Sequence, residues 1–107
     1  MTGSFGEMGN LLKQAQKMQR AMQEAREELS GLTAEGTAGG GVVKVTVSGE
    51  GQVEKIEISD EVAKTADRSL LEELVLAACR DAITKAHRMR DERLAKVTGG
   101  LQLPGMP

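Results

Sequence analysis

Two groups of cations carry the chemistry this sequence is equipped to do. Lys13, Lys17 and Arg20 recur at steps of four and three, which sets them on one face of a helix. Lys85, Arg88, Arg90, Arg93 and Lys96 crowd the last helical stretch. Lysine and arginine on helical prongs suit phosphate: they displace condensed counterions without having to read bases. With no Trp, no Tyr and one Phe, the chain offers no stacking platform for unpaired bases, so a double-helical backbone fits these cations better than a single strand.

Other candidate chemistry is weak. His87 and Cys79 are the only residues of their kinds and lie eight positions apart, so no transition-metal site is expected. Glu54, Glu57, Asp60 and Glu61 read as a solvated acidic surface. Gly36, Gly39, Gly40 and Gly41 lack the Lys-Ser or Lys-Thr pair and the following helix that a phosphate loop needs. No nucleophile stands beside a base, so the chain is read as no enzyme, with no cofactor and no small-molecule substrate. No apolar run reaches the roughly 20 residues that span a bilayer, and the expectation is a cytoplasmic protein with no membrane partner.

The formal net charge of −2 on its own argues against a polyanion, but its distribution matters more than its sum. Residues 35–73 hold four basic and nine acidic groups, whereas residues 74–107 hold six basic and three acidic. The chain is acidic in its middle and basic near its end.

These cations need elements to hold them. Leu11, Ala15, Met18, Met22, Ala25, Leu29 and Leu32 recur in the alternating four-three spacing of a coiled-coil seam. The spacing predicts a helix capped by Asn10 and stopped near Gly31, roughly 30 Å long, with residues 1–9 a loose leader. The period then changes to two, which predicts strands over 33–37, 42–48 and 52–59, with Val43, Val45 and Val47 on one face of the second and Ile56 and Ile58 on one face of the third. Ser48, Gly49, Glu50 and Gly51 make a hairpin turn. A short helical turn is expected over 61–64.

A last helix follows, capped either by Ser69 in a box with Glu72 or by Asp67. From Leu70 to Cys79 it is apolar nearly all round, so it should be buried on the sheet. Its seam continues through Ala82, Ala86 and Met89 into Arg93 and Lys96. Residues 98–107 read as a flexible tail, leaving residues 10–97 as a single domain. Both helices outreach the strands, so the first is expected to lie on the sheet along its second half, with Ala15 and Met18 meeting Ala86 and Met89 beyond it. The fold class is therefore α+β in the order α-β-β-β-α. A core without aromatic bulk at this length favours a homodimer.

The segments GNLLKQAQKMQRAMQEAREELS (9–30), EGTAGGGVVKVTVSGEGQVEKIEIS (35–59), LLEELVLAACRDAITKA (70–86) and GGLQLPGMP (99–107) closely resemble the YbaB/EbfC family of bacterial nucleoid-associated proteins. The resemblance covers nearly the whole chain. It implies tweezer-shaped homodimers whose projecting helices bind DNA in the nucleoid, organise the chromosome and modulate gene expression. On that reading the candidate contacts to double-stranded DNA are Lys13, Lys17, Arg20, Lys85, Arg88, Arg90, Arg93 and Lys96. The rival expectation is a protein-interaction module in which the Met/Ala seam and the Leu-Pro tail bind another protein.

Overall fold

The computed structural model describes residues 2–100, and side chains within 6–99. Helix α1 spans Thr2–Ser30, strands β1, β2 and β3 span Thr33–Ala38, Val43–Ser48 and Val53–Ile58, a short helix α2 spans Asp60–Thr65, and helix α3 spans Arg68–Gly100. The strands form one antiparallel sheet in the order β1-β2-β3. The α+β class and the α-β-β-β-α order hold, with α2 as the extra turn between sheet and last helix.

Both hairpins depend on glycine. Gly39, Gly40 and Gly41 all take positive φ between β1 and β2, and Gly51 does so between β2 and β3, a region that side-chain-bearing residues rarely enter. Between β2 and β3 the register slips: Thr46 faces Lys55 while Val47 faces Val53, so Glu54 is an extra, bulged residue. Strict alternation from Ile58 and Ile56 would have put Glu54 on their face. The bulge puts Val53 there instead.

The core lies between β1–β2 and α3. Val43, Val45, Val47, Ala78, Ala82 and Ala86 are all fully buried. Alanine along this face of α3 lets its backbone sit close to the sheet, and Gly36 of β1 is its counterpart. A Cβ on Gly36 would stand 2.1 Å from the Ala82 nitrogen and 2.4 Å from the Ala78 carbonyl oxygen. Gly49, in the second hairpin, is pinned the same way against the Leu29 backbone, where a Cβ would meet the carbonyl oxygen at 2.3 Å.

The outer edge of β1 is strapped by α3. Asp81 accepts a hydrogen bond from the Thr37 backbone N–H at 3.0 Å, and the Lys85 ammonium donates to the Glu35 carbonyl at 3.2 Å and to Asp81 at 3.1 Å. Two outward-pointing backbone groups of an edge strand are thereby satisfied, which closes that edge to further pairing. The Thr37 N–H and then the Lys85 ammonium hold the Asp81 carboxyl below its ordinary 3.8.

Several boundaries differ from those expected. α1 begins at Thr2, so residues 2–9 extend the helix instead of forming a loose leader, and Asn10 is interior. With no proline to stop it, a helix nucleated by the seam adds residues at small cost per step even through Gly3, Gly6 and Gly9. Asp67, not Ser69, caps α3, its carboxylate accepting from the Leu70 N–H at 2.7 Å, where the anion also meets the positive end of the helix. α3 carries on through Thr98 and Gly99 to Gly100, where a flexible tail was expected, and the rest of that expected tail, 101–107, lies outside the described residues.

The largest correction concerns how the helices meet. α1 packs on α3, not along the sheet, whose inner face α3 already occupies. The register is set by Arg93, which donates to Glu28 at 2.8 Å. Met18 lies about 15 Å from Glu28 towards the N-terminus of α1, while Ala86 lies about 10 Å from Arg93 in the opposite direction along the antiparallel pair. The expected meeting of Ala15 and Met18 with Ala86 and Met89 therefore does not occur. Ala86 is in the sheet core, Ala15 is exposed, and the residues facing each other across the pair are the half-buried Ala21, Met22, Leu94 and Val97 with the buried Ala25. In this register Gly100 stands alongside about Ala21, and α1 overshoots it by roughly 28 Å. The 77 Å long axis of the molecule is accounted for by α3 plus that overshoot.

Gly36→Ala should cost at least about 2 kcal/mol and lower the Tm by about 10 °C, since backbone atoms cannot move aside as a flexible side chain would; thermal unfolding by circular dichroism measures it. Asp81→Asn should destabilise the wild-type fold in a pH-dependent way. A folded-state pKa below 3.8 means the ionised carboxylate stabilises the fold above that value, and the contribution disappears as pH falls through the folded-state pKa. The gap in urea midpoint between the two proteins should therefore be present at neutral pH and close in acid.

Candidate nucleic-acid interface

The overshoot turns the N-terminal part of α1 into an arm with two distinct faces. Around the helix, Lys13, Lys17 and Arg20 lie within about 60° of one another. They point away from the stripe made by Met8, Leu11, Ala15, Met18 and Met22. All three are exposed, and no carboxylate lies within ion-pair distance of them among the described residues. Further down the same face Glu24, Glu27 and Glu28 follow, so its charge changes sign where α3 begins to run alongside.

That sign change has a structural reason at its last position. Glutamates at a helix C-terminus oppose the helix dipole, each by about 0.3–1 kcal/mol. Glu28 recovers some of that cost by holding Arg93, the half-buried cation at the α1–α3 crossing. An exposed pair of this kind adds only about 0.2–1 kcal/mol, so its larger effect is on register.

The eight candidate cations are not gathered into one cluster. Lys85 is engaged at the β1 edge, Arg90 pairs with Asp91 at 3.4 Å, and Arg93 pairs with Glu28. Arg88 and Lys96 are exposed and, like the three arm cations, have no salt-bridge partner among the described residues. Arg20 and Lys96 come closest across the two helices, about 8 Å apart along the axis, whereas Lys13 and Lys85 are separated by roughly 35 Å. The structure thus strings the cations along one rod over about the length of a single turn of B-form duplex. Part of the positive charge that the sequence gives the end of α3 is spent internally, and the arm of α1 keeps its own.

Sequence reading missed the role of Asp81 and Lys85 together. Their i, i+4 spacing is visible in the chain, but nothing local reveals that the pair reaches the main chain of residues 35 and 37. It also missed how bare β3 is. Val53, Ile56 and Ile58 are opposite Val47, Val45 and Val43 and so share their face of the sheet, yet they are 46%, 46% and 38% exposed because α3 sits over β1 and β2 only. Beside them Ile58, Leu71, Val75, Leu76 and Cys79 line an open apolar hollow of about 450 Å³. No helix among the described residues is long and apolar enough to cross a membrane.

A crystal structure of an uncharacterized protein, HP0035 from Helicobacter pylori, has the same fold: it superposes with a TM-score of 0.72 at 21% identity, over 89% of this chain and 97% of that one. The model of the YbaB/EbfC DNA-binding family matches residues 5–101, which takes in the arm, the sheet and the whole of α3. The chain therefore belongs to the YbaB/EbfC DNA-binding family.

Proposed function

We propose that this protein is a cytoplasmic, nucleoid-associated homodimer that clasps double-stranded DNA between its projecting arms, mainly through phosphates, and so organises the bacterial chromosome and modulates gene expression. The observation that carries the proposal is the arm itself: Lys13, Lys17 and Arg20 on one exposed face, unneutralised among the described residues, held well clear of the acidic middle of the chain. A phosphate backbone needs only such positioned cations. Arg88 and Lys96 extend the contact towards the root of the arm. Arg90 and Arg93 contribute less because each has a carboxylate beside it, and Lys85 least because its ammonium already serves β1.

The dimer reading rests on β3. Its apolar face is on the same side as the valines of β2 but lacks a helix of its own, and the adjoining hollow on α3 is apolar too. A second copy related by two-fold symmetry covers both with the same surfaces, which is how a self-complementary interface works. It also completes a core that is thin for a chain of 107 residues.

If a dimer makes four to six phosphate contacts, log affinity for duplex DNA should fall against log salt with a slope of about −4 to −5, a loss of several hundred-fold between 50 and 200 mM salt. Reversing Lys13, Lys17 and Arg20 to Glu should abolish most of that dependence, while Lys85→Gln should leave it nearly unchanged. Fluorescence anisotropy with a labelled duplex distinguishes the two, and wild-type affinity indifferent to the triple reversal would remove the arm from the proposal. Ile56→Glu, at a position already exposed in the single chain, should yield a folded monomer in sedimentation where the wild type sediments as a dimer.

A further inference from the structure

The two edges of the sheet differ. Asp81 and Lys85 close the β1 edge, whereas every residue of β3, the other edge, is exposed, and no group among the described residues bonds its outer side. Which main-chain groups look outward follows from the ladder. The Ser59 N–H donates to the Val42 carbonyl at 2.8 Å, so Ser59 turns its main chain towards β2, and alternation along the strand sets Glu57 and Lys55 the same way. Ile56 and Ile58 therefore direct their N–H and C=O groups out of the sheet. A bare row of this kind, with no proline in it, is a template for another strand.

We infer that this edge pairs with the same edge of a second copy, antiparallel and centred on Ile56, so that two three-stranded sheets become one of six strands. The inference rests on the dimer reading above and adds how the two copies meet. Charge selects both the occupant and the register. Lys55 and Glu57 share the outer face of β3, where the ammonium and carboxylate lie 3.1 Å apart. A two-fold axis through Ile56 sets Lys55 opposite the partner's Glu57 and Glu57 opposite the partner's Lys55, while Ile56 exchanges both main-chain bonds with the partner's Ile56. Centring the axis on Lys55 or on Glu57, the neighbouring registers that keep outward groups paired, opposes two lysines or two glutamates instead, and like charges directly opposite are destabilising. The regular run is bounded by the bulge at Glu54 and by Ser59, which caps α2, so Ile56 is also its middle. On the inner face Ile56 lies beside the partner's Ile56, and the two apolar hollows bordered by Ile58, Val75 and Leu76 open onto one trough. A partner laid flat on the inner face would cover the isoleucines but leave the outward main-chain groups unpaired.

Cysteine pairs read the register directly, in the full chain carrying Cys79→Ala. Lys55→Cys together with Glu57→Cys should link two chains on a non-reducing gel, and neither substitution alone should do so. Linking by Lys55→Cys alone or by Glu57→Cys alone would overturn the register. No link in a protein that still sediments as a dimer would overturn edge pairing and leave the dimer standing, whereas a wild type that sediments as a monomer would remove the dimer reading and this inference with it. Charge reversal supplies a second measurement. Lys55→Glu and Glu57→Lys should each weaken the dimer about ten-fold, and mixing the two variants in equal amounts should restore it as a mixed pair, since every facing pair then carries opposite charges. A mixture that associates no more tightly than either variant alone would overturn the charge pairing.

Discussion

The fold turns on how closely α3 lies against β1. At Gly36 the helix and strand main chains are so near that no side chain fits between them, and the alanines at 78, 82 and 86 keep the rest of that face equally shallow. Such proximity fixes the helix laterally over β1 and β2. It brings Asp81 and Lys85 within reach of the β1 edge, where they satisfy main-chain groups that water would otherwise bond. It also leaves the inner face of β3 bare, for a helix drawn so far to one side of a three-stranded sheet cannot cover the other side. One edge of the sheet is finished within the chain, and the inner face at the other is left exposed at Val53, Ile56 and Ile58.

A mismatch of lengths supplies the rest. Six-residue strands extend only about 20 Å, while α1 and α3 extend roughly 43 and 50 Å. Because α1 ends and α3 leaves at the same end of the sheet, the surplus of both projects in one direction, and the Arg93–Glu28 contact sets how far each runs past the other. Charge follows that geometry. Where the helices lie side by side, Arg93 of α3 meets Glu28 of α1; where α1 continues alone, Lys13, Lys17 and Arg20 have no such partner among the described residues. A chain with a formal charge of −2 can in this way hold an unneutralised basic face, because the excess acid sits some distance away in the middle of the sequence.

Most of the local architecture was legible before folding was considered. Alternating valines at 43, 45 and 47 specify a strand with one buried face, the three glycines at 39–41 specify a turn through positive φ, and the four-three spacing from Leu11 to Leu29 specifies a helix with one apolar stripe. The candidate cations were legible as types and spacings on those elements. Helix ends were less so, since Asn10 and Ser69 are chemically able caps that an uninterrupted or differently started helix does not use. The seam from Leu11 to Leu32 was legible as apolar, but its cover was not. Period alone says that a stripe must face something without saying what, and only Ala25 and Leu29 proved fully buried.

The sequence by itself determined the elements, their order, the apolar face of each and the pools of charge they carry, because these follow from residue spacing within one turn or one pleat. Tertiary structure alone decided which charges are spent and which are available. Lys85 and Arg93 look like Lys17 and Arg20 in the chain, yet the first pair is held by groups 50 and 65 residues away and the second is not. It also decided that β3 is bare, through a bulge at Glu54 and the sideways placement of α3. Contacts of that range depend on helix register and on a single glycine's clearance, and neither is encoded in any local pattern.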